Sequence, residues 1–133
     1  TIDGKPQQDR VDWQPLSEQA ITLALAQNKR VFVDVTADWC ITCKANKFNV
    51  LLRDDVQQAL SAPDVVALRG DWSRPSDSIA SFLRQRGSVA IPFNQIYGPG
   101  LTDGEILSPL LDRSTLLATL AQAGIAPSQG ETK

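Results

Sequence analysis

The chain has 133 residues, a formal net charge of −2, 42% hydrophobic residues and 21% charged residues. This size and composition indicate a single globular domain, and the lack of a basic stripe argues against a nucleic-acid partner. There are two cysteines but no histidine and no methionine. These counts exclude a Ser-His-Asp triad and a Cys-His pair, and they leave a zinc site short of ligands, so we expect no metal site.

The two ends of the chain are polar. Residues 1–14 contain several glutamines and charged side chains, which predict a linker or an N-terminal arm. We expect one domain over residues 15–125 and a mobile, polar tail over residues 126–133. Because the chain begins with Thr1 and shows no apolar leader, we also expect it to be an excised part of a longer protein.

Predicted helices and strands alternate along the chain. Apolar residues at helical spacing predict helices, and short β-branched runs predict strands. In chain order we expect a helix over 15–28, a strand over 31–36, a helix from the cysteine pair to about 52, a helix over 54–62, a strand over 65–68, a helix over 76–86, strands over 93–97 and 105–107, and a helix over 114–124. The expected N-caps are Ser17, Asp54, Ser76 and Ser114.

This order predicts an α/β fold with a central four-stranded mixed sheet flanked by helices. The last two strands form a hairpin, for which Gly98-Pro99-Gly100 and Asp103-Gly104 are turn signals.

Cys40 and Cys43 form a Cys-x-x-Cys pair between a buried strand and a helix. This arrangement is typical of thiol–disulfide chemistry. The free N–H groups and the dipole at a helix N-terminus favour a thiolate on Cys40. Cys43 lies three residues on, on the same helix face, so it can close a disulfide or resolve a mixed one. The alternative is that both cysteines are inert core residues or half of a metal site.

The segment 34–44, Asp-Val-Thr-Ala-Asp-Trp-Cys-Ile-Thr-Cys-Lys, resembles the active-site segment of the thioredoxin superfamily. More narrowly, Ala-Asp-Trp-Cys over 37–40 followed by Cys43-Lys44 resembles the C-terminal periplasmic domain of the DsbD family of thiol:disulfide interchange proteins. Ile-Pro-Phe-Asn over 91–94 and the following Tyr-Gly-Pro resemble its ScsB branch (suppressor of copper sensitivity). The resemblance covers about residues 15–123.

The resemblance implies a thioredoxin fold and an enzyme, a protein-disulfide reductase. Cys40 would be the exposed nucleophile and Cys43 the resolving thiol. Such a domain takes reducing equivalents from the transmembrane domain of the same polypeptide and passes them to its N-terminal periplasmic domain, which reduces a downstream periplasmic thioredoxin-like protein. The domain would be periplasmic, a soluble part of an inner-membrane protein, and its exchange needs no cofactor beyond the Cys40–Cys43 disulfide.

Asp34 lies six residues before Cys40, inside an apolar strand. A carboxylate is costly to bury there without a task or a partner. The resemblance implies a catalytic role, in which the buried acid lies behind Cys43 and accepts or relays the proton of that thiol. The alternative is an aspartate at the strand end that reaches solvent or a backbone donor.

Three further residues are expected to bind substrate. The resemblance implies that Pro92 follows a cis peptide bond and faces the cysteine pair, and that the backbone of Ile91 pairs with a substrate strand. The alternative is an ordinary proline at a strand entry. We expect Trp39 to pack beside Cys40 and limit water access, the alternative being a plain core aromatic residue.

Two other functions share these sequence features. A stand-alone thioredoxin-like oxidant or isomerase has the same motif, because the direction of exchange depends on the reduction potential and the partner. A Cu(I)-binding dithiol module would use the same two thiolates, although the lack of His and Met counts against it.

Overall fold

A mixed five-stranded sheet forms the centre of the computed structural model, which describes residues 8–125. The strands are β1 (Gln14–Pro15), β2 (Arg30–Thr36), β3 (Val65–Asp71), β4 (Phe93–Gly98) and β5 (Leu101–Ile106). Their spatial order is β1-β3-β2-β4-β5; β3 is parallel to β1 and β2, and β4 is antiparallel to β2 and β5. The predicted α/β class is confirmed, but the sheet has five strands rather than four. The additional strand, β1, has only two residues, too few for an alternating pattern.

The described residues contain five α-helices: α1 (Glu18–Ala26), α2 (Ile41–Asn46), α3 (Asp54–Leu60), α4 (Asp77–Gln85) and α5 (Arg113–Ala123). A π-helical turn (Lys47–Leu51) continues α2. Ser17 and Ser76 cap α1 and α4 as predicted, each accepting a bond from a backbone N–H three residues on. In the described residues, no helix is long and apolar enough to span a membrane.

Two predicted caps are wrong. The N-cap of α5 is Asp112, two residues before Ser114, because the carboxylate of Asp112 accepts the N–H of Thr115 at 2.9 Å. Asp54 is the first residue of α3 rather than its cap. Its negative charge there interacts favourably with the positive end of the helix dipole.

The hairpin of β4 and β5 also differs from the prediction. Strand β5 starts at Leu101, directly after the turn at Pro99-Gly100, rather than at Glu105. Between the pairs Ile96–Glu105 and Gly98–Leu101, β5 has three residues where β4 has one, which is a bulge. Gly104 lies in this bulge with a φ of +84°, so the turn signal at Asp103-Gly104 marks an irregular strand.

Successive side chains of β2 point to opposite faces of the sheet, and each face is covered by an apolar layer. Val31, Val33 and Val35 face the layer that contains residues of α1 and α4. Phe32 faces the other layer, which contains residues of the π-helical turn, α3 and α5. Asp34 has the same alternation as Phe32, so its carboxyl group is directed to the second layer.

The N-terminal arm, residues 8–13, packs against that second layer. Val11 is buried in it, and the ring centroids of Trp13 and Phe32 are 6.0 Å apart. Arg10 forms an ion pair with Asp54 of α3 at 2.8 Å. Of the predicted terminal segments, 1–7 and the tail 126–133 lie outside the described residues, and the domain bounds 15–125 stay a prediction.

Candidate active site

A disulfide joins Cys40 and Cys43 at the start of α2, with 5.2 Å between the two Cα atoms. Cys40 occupies the N-cap position, where its backbone is extended. Its Sγ accepts a hydrogen bond from the backbone N–H of Cys43 at 3.1 Å. This N–H is one of the unpaired donors at the helix N-terminus, so the same contact stabilises a thiolate on Cys40 after reduction.

Both cysteines are largely covered. Each is 6% exposed, and Ala37 and Ile91 pack against them. The expectation of an exposed Cys40 is therefore wrong for the disulfide form, because apolar neighbours cover the residue. Within residues 8–125, no group of three or more Cys, Asp or Glu side chains is placed to hold a metal ion.

Asp34 is buried, with a side chain only 5% exposed. Its Oδ2 accepts a hydrogen bond from Nε of Arg69 at 2.9 Å, and its Oδ1 accepts one from Nδ2 of Asn94 at 2.7 Å. Burial raises the pKa of Asp34, although the charge of Arg69 and the bond from Asn94 act in the opposite direction. The alternative in which Asp34 reaches solvent is therefore wrong. The predicted proton transfer with Cys43 stays a prediction.

Strand register brings the partners of Asp34 to it. Arg69 on β3 and Asn94 on β4 lie directly opposite Asp34 on its two sides. Three polar side chains thus form a row across the centre of the sheet. Sequence reasoning gave no role to Arg69 or Asn94. The sequence does contain one hint, because Arg69 is a charged residue that follows the apolar run Val-Val-Ala-Leu of β3. It identifies a partner for Asp34 only once the register between β3 and β2 is known.

Asn94 has one unused hydrogen-bonding group. Its Nδ2 donates to Asp34 and also to the carbonyl oxygen of Val33 at 3.2 Å. Its Oδ1 is buried and has no hydrogen-bond partner among the described residues.

The peptide bond between Ile91 and Pro92 is cis, as the resemblance implies. Ile91 packs against the cysteine pair, which places the residue before the cis proline next to the disulfide. The pairing of the Ile91 backbone with a substrate strand stays a prediction. Trp39 is 59% exposed, so it is not a core aromatic residue. Its expected packing beside Cys40 stays a prediction.

An apolar groove of about 560 Å³ lies beside the disulfide. It is lined by Trp39, Trp72, Ser73, Arg74, Pro75, Val89, Ala90 and Ile91. Val89 on this groove and Ile41 in the first turn of α2 are more than 80% exposed. Exposed apolar side chains such as Trp39 and Val89 on one groove are typical of surfaces that contact other molecules.

These features define a class of protein. A Cys-x-x-Cys disulfide at the N-terminus of the helix after a central strand, next to a cis proline, is the site of a thioredoxin-like oxidoreductase. The chain belongs to the thioredoxin-like family, whose sequence model matches residues 12–99. It is a disulfide-exchange domain, and the predicted thioredoxin fold is confirmed.

The chain is also similar to DsbD proteins. It is 31% identical over 98 residues to the thiol:disulfide interchange protein DsbD of Yersinia pestis (strain Pestoides F), a match that covers 68% of this chain and 16% of that protein. The fold is similar to the reduced C-terminal domain of DsbD from Neisseria meningitidis, with a TM-score of 0.61, 21% identity, and coverage of 83% of this chain and 99% of that domain.

A thioredoxin from Thermus thermophilus has a similar fold as well, with a TM-score of 0.64 and 23% identity; the match covers 84% of this chain and 85% of the thioredoxin. The chain thus matches most of the length of two single thioredoxin-like domains but only 16% of the length of the curated DsbD relative.

Proposed function

We propose that this domain is a protein-disulfide reductase that relays reducing equivalents from a membrane-embedded domain to a periplasmic partner domain. The observation that carries the proposal is the position of the disulfide. Cys40 Sγ receives the N–H of Cys43 at the start of α2, beside an exposed apolar groove that suits contact with another protein. The similarity to DsbD over 98 residues supports the same assignment.

The exchange proceeds through two thiolate attacks. The thiolate of Cys40 attacks one sulfur of the partner's disulfide, which forms a mixed disulfide and releases the partner's second sulfur as a thiolate. Cys43 loses its proton to Asp34 and attacks Cys40, which closes the Cys40–Cys43 disulfide and releases the partner's first sulfur. Two electrons pass to the partner. The reverse sequence with a donor dithiol reduces the domain again, so the reaction needs no other cofactor.

The groove is the proposed docking surface for both partners. Trp39 and Val89 offer apolar contacts, and the backbone of Ile91 next to the disulfide pairs with an extended segment of the partner. Such contacts hold the partner's sulfur in line with the Cys40–Cys43 bond during transfer.

The partners follow from the similarity to DsbD. We propose the transmembrane domain of the same polypeptide as the electron donor and its N-terminal periplasmic domain as the acceptor, which then reduces a periplasmic thioredoxin-like protein. The match to only 16% of the length of the DsbD relative fits one domain among several. The Ile-Pro-Phe-Asn run over 91–94 and the Tyr-Gly-Pro over 97–99 support the ScsB branch, and with it a role in copper tolerance.

A trapping experiment tests this function. The Cys43→Ser variant keeps the nucleophile and lacks the resolving thiol, so after mixing with an oxidised Cys-x-x-Cys protein it should accumulate a mixed disulfide through Cys40. Non-reducing electrophoresis followed by mass spectrometry identifies the linked cysteines. The Cys40→Ser variant is the matched control and should trap nothing. Absence of any adduct with Cys43→Ser, or equal adduct with Cys40→Ser, contradicts the proposal.

A further inference from the structure

The guanidinium of Arg69 lies between two carboxylates from distant parts of the chain. Its Nε donates to Asp34 at 2.9 Å, and its Nη1 faces Oδ2 of Asp9 at 3.4 Å. Asp34 belongs to the strand that leads to the disulfide, whereas Asp9 belongs to the N-terminal arm and is 25% exposed. One cation therefore serves both acids.

Asp9 is held at this position by several donors. Trp13 donates its Nε1–H to Oδ2 of Asp9 at 2.9 Å, and the Arg69 guanidinium lies 3.8 Å from the centroid of the same indole. The buried side chain of Gln57 in α3 donates to Oδ1 of Asp9 at 3.2 Å, as does the backbone N–H of Val11. These contacts converge on the arginine that pairs with the buried acid.

We propose that Asp9 is a positioning residue for disulfide exchange, which shares Arg69 with Asp34 and so weakens the hold of the guanidinium on the buried acid. The inference rests on the proposed function, in which Asp34 takes the proton of Cys43. The N-terminal arm thereby becomes part of the electrostatic environment of the active site.

The charges around Asp34 give the direction of the effect. Arg69 of β3 lowers the pKa of Asp34, the negative charge of Asp9 raises it, and the third neighbour, Asn94 of β4, is neutral. Burial acts to raise the pKa of Asp9, but hydrogen bonds from Gln57, Trp13 and Val11 lower it below its ordinary value. Asp9 thus stays charged at neutral pH and keeps Asp34 a better proton acceptor than Arg69 alone would leave it.

Carboxyl NMR titration of Asp34 in the oxidised chain tests the inference. In Asp9→Asn, the titration midpoint of Asp34 should fall below that of the wild type, because the competing charge is gone and the guanidinium serves one acid. Asp9→Glu keeps the charge and should restore the wild-type midpoint. Asp54→Asn is the matched control, since it removes the ion pair between Arg10 of the arm and α3 without touching Arg69, and it should leave the midpoint unchanged.

Two results would overturn the inference. One is an Asp34 midpoint that is unchanged or raised in Asp9→Asn. The other is an equal fall in Asp54→Asn, which would show that any loosening of the arm has the same effect. The pH profile of reduction of a small disulfide by the reduced chain should move to lower pH in Asp9→Asn. Because the titration is made on the oxidised chain, it can succeed even where the reductase activity is absent, so the two proposals fail separately.

Discussion

Two arginines of this domain have nearly the same surroundings, but the carboxyl groups they pair with have opposite pKa shifts. Arg69 lies over the ring of Trp13 at 3.8 Å and pairs with Asp34, and Arg86 lies over the ring of Phe82 at 3.5 Å and pairs with Glu18. The Arg86 pair is bidentate, with bonds of 2.6 and 2.7 Å. The two clusters belong to the two apolar layers on opposite faces of the sheet.

The depth of the carboxylate separates the two clusters. Glu18 is half exposed, and the hydrogen bonds from Arg86 lower its pKa, so it stays ionised as a structural anchor. Asp34 is 5% exposed, and burial raises its pKa despite the contact with Arg69. The same type of pair therefore gives a carboxyl group with a lowered pKa at the surface and one with a raised pKa in the interior.

The largest expected difference between the two clusters is the loss of unfolding free energy when the arginine of each is replaced. Arg69→Met leaves a buried carboxylate without its cation and should lower the free energy of unfolding by about 3 kcal/mol at neutral pH. Arg86→Met leaves a half-exposed glutamate that water can solvate, and it should cost about 1 kcal/mol. Denaturant unfolding of both variants measures the two values. Equal costs, or a larger cost for Arg86→Met, would contradict the distinction.

The pH dependence of stability should have opposite signs at the two acids. The raised pKa of Asp34 contributes stability that is complete below the ordinary value of 3.8 and is lost as pH rises through the folded-state pKa. The lowered pKa of Glu18 contributes stability that is complete above 4.5 and is lost as pH falls through the folded-state pKa.

Accordingly, Asp34→Asn should gain stability relative to the wild type as pH rises above 3.8, and the deficit of Glu18→Gln should shrink as pH falls below 4.5. Unfolding measured in denaturant across this pH range gives both differences. A deficit of Asp34→Asn that grows with pH would refute the assignment of a raised pKa.

The smallest expected effects concern the neutral partners. Asn94→Leu removes the donor to Asp34, and Tyr97→Phe removes a hydroxyl that accepts from Arg86 at 2.9 Å. Each should cost about 1 kcal/mol in unfolding experiments. Only Asn94→Leu should also raise the pKa of Asp34, because that hydrogen bond lowers it. An unchanged titration of Asp34 in Asn94→Leu would show that Asn94 does not influence the pKa of the buried acid.

Local signals explain why much of the fold could be predicted. Ser17 and Ser76 precede apolar residues at helical spacing, and the run 31–36 is β-branched, so each element is encoded by adjacent residues. The Cys-x-x-Cys pair is equally local. Strand β1 and the start of β5 could not be predicted, because Gln14-Pro15 has no strand pattern and the bulge at Gly104 depends on pairing with β4.

The environment of the site depends on long-range contacts. Arg69 and Asn94 reach Asp34 through strand register, and Asp9 reaches Arg69 across 60 residues of sequence. The cover over Cys40 likewise comes in part from Ile91, far along the chain. A sequence pattern indicates that a buried acid needs a partner, but only the packed sheet determines which residue provides it.

Electron transfer from the reduced chain to a protein with a Cys-x-x-Cys disulfide tests the central claim most directly. Stopped-flow kinetics should show no transfer by Cys40→Ser, transfer about 100-fold slower than the wild type by Asp34→Asn, and wild-type transfer by Glu18→Gln. Transfer by Cys40→Ser at the wild-type rate, or the same rate for Asp34→Asn and Glu18→Gln, would contradict the account of Cys40 as nucleophile and Asp34 as proton acceptor.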